Sequence, residues 1–485
     1  MKAVNQIIKE KPWMGWVIFF ITMVVTFFIG LLASSIMERR TEAIIINKPK
    51  ADIKAFESDN KVWGQYYKDE YQSYLQTADT SFKSKYGGSA TIDMLEEAPE
   101  MVVLWAGYPF SKDYRQGRGH YYAVDDIITT LRTAAPAKPG TDPMPATCWT
   151  CKSPDVPRLM NKMGIDSFYH QKWSTFITEI KNPIGCADCH DPATMDLQIT
   201  RPALLEAFKR NGKDIAKVSQ QEMRSLVCAQ CHVEYYFKGD GKYLTFPWDK
   251  GMDVDNIEKY YDAIEFSDWT HSISKANMIK AQHPDYEIYS MGIHAQRGLA
   301  CADCHMPYKS EGGRKFTDHH IQSPLNNISN TCQICHRESE AELLRTVYER
   351  QDKIAEQKQI LEKLLVKAHY EAKAAWDNGA TATDMKPALT EIRHAQWRWD
   401  FAAASHGAAF HAPIEVMRII ATGIEKTQQA RLILSKISAK KGIIEDIAIP
   451  DISTKANAQK AVGLDMPTIE KEKQLFLKKL KTDWK

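Results

Sequence analysis

All ten cysteines of this 485-residue chain fall into five Cys-x-x-Cys pairs, and none is left over. The pairs read CWTCK (148–152), CADCH (186–190), CAQCH (228–232), CADCH (301–305) and CQICH (332–336). Disulfides are a poor use of that spacing, because a two-residue gap closes a strained small ring and hardly restrains an unfolded chain. Four-thiolate zinc knuckles need pairs of pairs, and zinc does not explain why histidine follows at once in four copies of five. Cys-x-x-Cys-His is the pattern of covalent c-type haem, in which two thioethers hold the porphyrin edge and the adjacent histidine reaches the iron. On that reading Cys186, Cys189, Cys228, Cys231, Cys301, Cys304, Cys332 and Cys335 attach four haems, with His190, His232, His305 and His336 as proximal ligands. Such a chain folds around its cofactors.

Cys148 and Cys151 keep the thioether spacing but are followed by Lys152. A decayed site, a disulfide and a redox dithiol are the alternatives to a fifth haem. Against decay stand Pro136, Pro139, Pro143, Pro145, Pro154 and Pro157, which stiffen both flanks. If a haem is attached here, Lys152 occupies the proximal position. Its amine binds metal only as the neutral base, a form favoured by burial and by neighbouring positive charge.

With 44% apolar and 10% aromatic residues the chain has enough material for a large core or two fused ones. Its 63 basic and 61 acidic side chains leave a formal charge of +2, so no excess positive field points to nucleic acid. Residues 16–37 carry no charge and follow Lys2, Lys9 and Lys11. A run of about 20 apolar residues spans a bilayer. The lysines favour a cytoplasmic tip and an exported body, although Arg39 and Arg40 oppose that orientation. Cleavage near Ala33, Ser34 and Ser35 is the rival reading, and it exports the body equally.

The expected fold is mainly α, with haems packed in an irregular helical core followed by long C-terminal helices. Three regions are expected: a tip and anchor or signal segment (1–37), a haem-bearing catalytic region (38–340) and a helical region (341–485). From 337 the composition shifts to Glu, Lys, Gln, Leu and Ala, which predicts one long helix stopped by Gly379. Leu344, Val347, Ile354, Leu361 and Leu365 form a seven-residue stripe interrupted by Gln351 and Lys358, suited either to packing within the monomer or to a dimer seam. A second helical block is expected from about 386 to 439. It contains three histidines, His394, His406 and His411, more than a packing helix requires.

Four proximal histidines leave eleven others, enough to fill every remaining axial position of four electron-carrying haems. Spacing alone does not choose among them. One Cys-Trp-x-Cys-Lys site followed by four Cys-x-x-Cys-His sites resembles the pentahaem cytochrome c nitrite reductases, which form ammonia. The similarity runs from about His120 to His411.

The resemblance implies distal ligands at His120 in GRGHYY, His294 in MGIHAQRG, His319 in FTDHH and His411 in FHAP, with His406 as the runner-up for His411. His120 would serve the haem at Cys228/Cys231, His319 that at Cys186/Cys189, His411 that at Cys301/Cys304 and His294 that at Cys332/Cys335. The Lys152 haem is left open to substrate. The family's active-site trio matches Arg132 in TTLRTAA, Tyr235 in CHVEYYF and His283 in KAQHPD, with Arg132 and a protonated His283 supplying positive charge to the anion. Calcium is implied beside them, with side-chain oxygens from Glu234 and Gln282 and backbone carbonyls from Tyr235 and Lys280.

The implied reaction is reduction of nitrite to ammonium by six electrons on the periplasmic side. A membrane quinol-oxidising multihaem cytochrome is the implied donor and a homodimer the implied assembly. A purely electron-carrying cytochrome and a reductase of hydroxylamine or sulfite are the alternatives.

Overall fold

The computed structural model describes Lys9 and residues 11–44, 51–311, 313–482 and 484; side chains are described from residue 51 onward and, before it, only to residue 35. Lys2, the flanking Arg39 and Arg40 side chains and their bearing on orientation lie outside the described residues. Helix α1, Pro12–Ile44, carries the apolar run. Its stretch Pro12–Ser35 has a mean hydropathy of 2.6 and buries none of its residues against protein, so it is long and apolar enough to cross a membrane.

Residues 52–309 and 316–485 form one compact unit. It is mainly helical, with strands confined to two-stranded antiparallel pairs among the described residues. The haem-motif stretch consists of short helices and turns, and two of its motifs show why. In CADCH at 186 and 301, the central aspartate reaches back to the residue before the first cysteine: Asp188 accepts from Gly185 N at 2.8 Å and Asp303 from Ala300 N at 2.7 Å. That cap starts a single helical turn, which puts both cysteines on one face and the histidine one residue beyond the second.

Four long helices follow: α2 (Glu340–Asp377), α3 (Ala382–Ala404), α4 (Pro413–Lys440) and α5 (Met466–Thr482). Ser339 caps α2, and Gly379 at φ 76° ends it, with Ala380 N returning to Ala375 O at 3.0 Å. Of the α2 stripe, Val347, Ile354, Leu361 and Leu365 are buried in the monomer. Gly423 of α4 admits Leu361, whose side chain would collide with a Cβ there.

The helical block expected over 386–439 is instead two helices, α3 and α4. The interruption at 405–412 has a physical cause. A Cβ on Gly407 would overlap the His411 imidazole, and Pro413 can begin a helix but not continue one. The break therefore aims His406 and His411 back at the haem-motif region.

Candidate functional site

Each Cys-x-x-Cys-His motif presents its histidine to a second histidine from a distant segment. Ring centroids are 6.0 Å apart for His120 and His232, 6.2 Å for His190 and His319, 6.3 Å for His305 and His411, and 6.4 Å for His294 and His336. Imidazoles in van der Waals contact stand much closer, as His271 and His369 do at 3.7 Å. A spacing near 6 Å suits two rings that each direct one nitrogen at a metal between them.

Backbone carbonyls fix the ring orientation in three cases. Nδ1 of His190, His305 and His319 bonds the carbonyls of Met195, Gln322 and Thr317 at 2.9, 2.8 and 2.7 Å, which orients each ring. Burial pushes His120 down to about 3 and His411 to about 4, and lowers His294 and His319. All four are neutral at pH 7, the form that binds iron. Nδ1 of His120 and of His411 is buried without a hydrogen bond, which fits rings whose surroundings another group completes. His411, not His406, faces His305; His406 lies 6.1 Å from His283.

The motif sulfurs also meet one another. Cys151 contacts Cys231, and Cys228 contacts Cys301. Cys189 lies near Cys228, and Cys332 and Cys335 near Cys304. None of the ten cysteines forms a disulfide. The five sites thus form one connected set that branches at Cys228/Cys231, which neighbours the sites of Cys151, Cys189 and Cys301; Cys148/Cys151 is one of its ends.

The CWTCK turn is held from inside. Trp149 is fully buried, stacks on Trp173 at 5.6 Å and donates its Nε1 to Trp173 O at 2.9 Å. Thr147 donates to Lys242 O at 2.6 Å. Buried Arg201 donates to Thr150 O at 2.8 Å and to Asp188 at 2.5 Å, tying this motif to the CADCH at 186. The two intervening residues are therefore anchors, and the cysteines and Lys152 are only partly buried.

Around this turn stand two of the expected trio. Arg132 lies over the Phe110 ring at 4.4 Å, its Nε on Thr130 Oγ1 at 3.3 Å, and its charge acts on Cys148 and Tyr235. Among the described residues no carboxylate pairs with it. Burial raises Tyr235 well above the usual phenol range, with Cys151, Cys148 and Glu234 adding to the effect and Arg132 opposing it, so Tyr235 keeps its proton.

The third member, His283, sits against another group: the His232 ring at 4.5 Å and Asp285 Oδ2 at 3.2 Å. Burial overcomes Asp285 and takes His283 down to about 3. Burial thus favours the neutral ring where the sequence reading expected a protonated one: its single N–H faces Asp285, Nε2 is left as an acceptor, and Arg132 carries the formal charge.

The two groups are joined through Glu234. Gln282 N donates to Glu234 Oε2 at 2.6 Å, Tyr261 donates to Oε1 at 3.0 Å, and the Gln282 side chain meets Lys280 O at 3.1 Å. Glu234 is fully buried, not a surface acid, and burial raises its carboxyl well above the usual range. Among the described residues no cation pairs with it directly. Oε2 of buried Glu287, whose Oε1 accepts Glu234 N at 3.0 Å, has no hydrogen bond. A buried, oxygen-rich pocket with no direct cation partner among the described residues suits a hard divalent ion, whose charge would hold these carboxyls ionised.

Sequence reasoning missed two residues here. Asp285 lies 3.2 Å from His283 Nδ1 and 3.6 Å from His232 Nδ1 and accepts from the Ser405 hydroxyl, so it orients both rings. Asp400 pairs with Lys280 at 2.7 Å, both fully buried. The HPD triplet at 283–285 was the available signal for the first; nothing local marked the second.

Comparison with known proteins then adds the following. The family model for cytochrome c552 matches residues 59–485. The chain is 59% identical over 477 residues to cytochrome c-552 of Bacteroides fragilis, covering 98% of this chain and 97% of that protein. Cytochrome c-552 of Aliarcobacter butzleri is 47% identical over 478 residues, covering 96% and 94%. Among solved structures, cytochrome c nitrite reductase from Desulfovibrio desulfuricans, whose catalytic subunit has two calcium sites, superposes with a TM-score of 0.76 at 32% identity, covering 83% of this chain and 90% of that one.

Proposed function

The chain belongs to the cytochrome c552 family, and from that premise we propose that it is an ammonia-forming nitrite reductase carrying five covalent c-type haems and calcium. One observation carries the reading: four motifs each have a facing imidazole, at 6.0 to 6.4 Å, whereas the Lys152 motif has Arg132 and Tyr235 beside it and every distal imidazole is turned elsewhere. Cys148 and Cys151 would hold the fifth haem and Lys152 its proximal side. The remaining cysteines would hold the others, and His190 with His319, His232 with His120, His305 with His411 and His336 with His294 would supply their iron ligands. When bound, haem supplies single-electron transfer and, where one axial side is open, a place for a small anion.

Nitrite plus six electrons and eight protons gives ammonium and two waters. The site must therefore attract an anion and then deliver protons repeatedly. Arg132, free of any carboxylate among the described residues, gives the anion a charged donor pair. Tyr235, protonated, offers an O–H, and His283, oriented through Nδ1 by Asp285, presents Nε2 as a site that takes up and passes on protons. Calcium would bind the Glu234 and Gln282 side chains and the carbonyls of Tyr235 and Lys280, fastening the segment that bears Tyr235 to the one that bears His283. Arg201 and the Trp149 stack keep the Lys152 turn from shifting.

The family resemblance supports a homodimer fed by a membrane quinol-oxidising multihaem cytochrome. The apolar α1 supports an anchor with the body in the periplasm. The mass of the denatured protein should report five haems, and its visible spectrum should change on adding nitrite. Relative rates with nitrite, hydroxylamine and sulfite identify the substrate. Four haems with a Cys148–Cys151 disulfide would overturn the assignment.

A further inference from the structure

Arg132 belongs to a turn that L-residues resist. Leu131–Thr133 form one 3-10 turn, and the chain leaves it through Ala134 at φ 56°, ψ −162°. That corner of backbone space lies close to a region used almost only by glycine, because a Cβ there crowds adjacent backbone. Since residue 134 is alanine, the conformation must be imposed from outside.

Two side chains impose it. From one side buried Asp113 accepts Thr130 Oγ1 at 2.8 Å and Leu131 N at 3.0 Å through Oδ2. From the other, Lys473 of α5 donates through Nζ to Ala134 O at 2.8 Å and to Thr133 Oγ1 at 3.0 Å. The Thr133 hydroxyl lies 3.0 Å from the carbonyls of Ile127 and of Thr130, so its own proton stays inside the turn.

Lys473 is an unusual lysine. It is 2% exposed, and its ammonium lies 5.7 and 5.0 Å from the ring centres of Trp173 and Phe476. Among the described residues no carboxylate is within ion-pair reach of it. A buried ammonium is costly unless it is well bonded, and here its bonds go to the strained turn and not to a counter-ion. Docking of α5 alone needs no such charge, since Phe476 already fills the apolar contact with Trp173.

We propose that Lys473 is a positioning residue for Arg132: its ammonium clamps Thr133 and Ala134 in the strained turn, and the clamp sets where the guanidinium meets the anion. The inference rests on the reading of Arg132 as the anion-binding group. It places the C-terminal helix α5 in the service of the substrate pocket.

The test uses the haem-loaded protein, titrated with nitrite and with uncharged hydroxylamine while the visible spectrum is followed. Lys473→Met keeps the alkyl stem and removes the ammonium. It should weaken nitrite binding about tenfold, as expected for one charged hydrogen bond, and leave hydroxylamine affinity within about twofold. Adding Ala134→Gly, which retains the carbonyl and lets the turn form unaided, should restore nitrite affinity to within about threefold of the parent. A helix-docking role would not respond to that second change. Parent-like nitrite affinity in Lys473→Met, or no recovery in the double variant, overturns the proposal. Arg132→Ala separates the two levels. If it too binds nitrite like the parent, the anion reading fails and takes the clamp with it. If it loses nitrite while Lys473→Met does not, only the clamp fails.

Discussion

Asp400→Ala should destabilise the protein strongly, although Asp400 touches no motif. Its carboxylate accepts Lys280 Nζ at 2.7 Å, Trp105 Nε1 at 3.3 Å and Ala281 N at 3.3 Å. Burial pushes Asp400 upward, and Lys280 with the two N–H donors pulls it back. Lys280 in turn lies 4.9 Å from the Trp105 and Phe110 ring centres, with no solvent to take over its charge. Removing one partner of a buried pair typically costs about 3–5 kcal/mol, because the remaining charge is stranded. At about 2.1 cal/mol/K per residue the unfolding entropy of a chain this size is roughly 1 kcal/mol/K, so Tm should fall by about 3–5 °C. Lys280→Met with Asp400→Leu removes both charges and keeps the Lys280 carbonyl, so it should recover most of that loss. Calorimetry of the haem-loaded variants measures both. A shift below about 1 °C in Asp400→Ala would refute the ionised pair as a stabilising element.

Three further outcomes test other parts of the argument. Lys152→His restores an ordinary Cys-x-x-Cys-His motif, so the haem count should stay at five while the spin state and nitrite turnover change; parent-like turnover would make the lysine incidental. Glu234→Gln removes the one carboxylate offered to calcium, so metal analysis should show calcium lost and turnover reduced about tenfold or more, with full retention of calcium as the refuting result. Buried His271 and His369 are held neutral, the first well below its ordinary value and the second at about 4, mainly by burial. The unfolded chain therefore binds more protons, stability falls as pH drops below the unfolded value, and the loss between pH 6.5 and 5 should reach roughly 3 kcal/mol. His369→Gln should reduce that slope by about half in urea titrations at the two pH values; an unchanged slope would show that the pair does not titrate on unfolding.

What could be read in the chain before folding, and what could not, divides along the length scale of the chemistry. Thioether attachment is local: cysteines three residues apart and a histidine one further on must share a helical turn, so the spacing itself records the site. Helix ends such as Ser339 and Gly379 are local for the same reason. Opposed imidazoles are not, and no spacing rule picks His411 over His406. That choice follows from Gly407, whose missing Cβ makes room for the His411 ring, a contact visible only after α3 and α4 have separated. Protonation is less legible still. His283 next to Asp285 invites a positive ring on paper, yet burial outweighs the carboxylate in the folded protein.

The residues that position the site are the least legible, and for a definite reason. Asp400 and Lys473 act singly, across long sequence separations, and their chemistry is that of any surface charge until burial removes the solvent. Lys473 is one of five lysines in α5. Only the fold distinguishes it, by burying it against Trp173 and turning its ammonium toward Ala134. The haem motifs thus define which chemistry the chain can hold, while on the reading proposed above a buried charge from α5 sets where Arg132 stands. Lys473 variants should therefore perturb nitrite binding without changing the haem count.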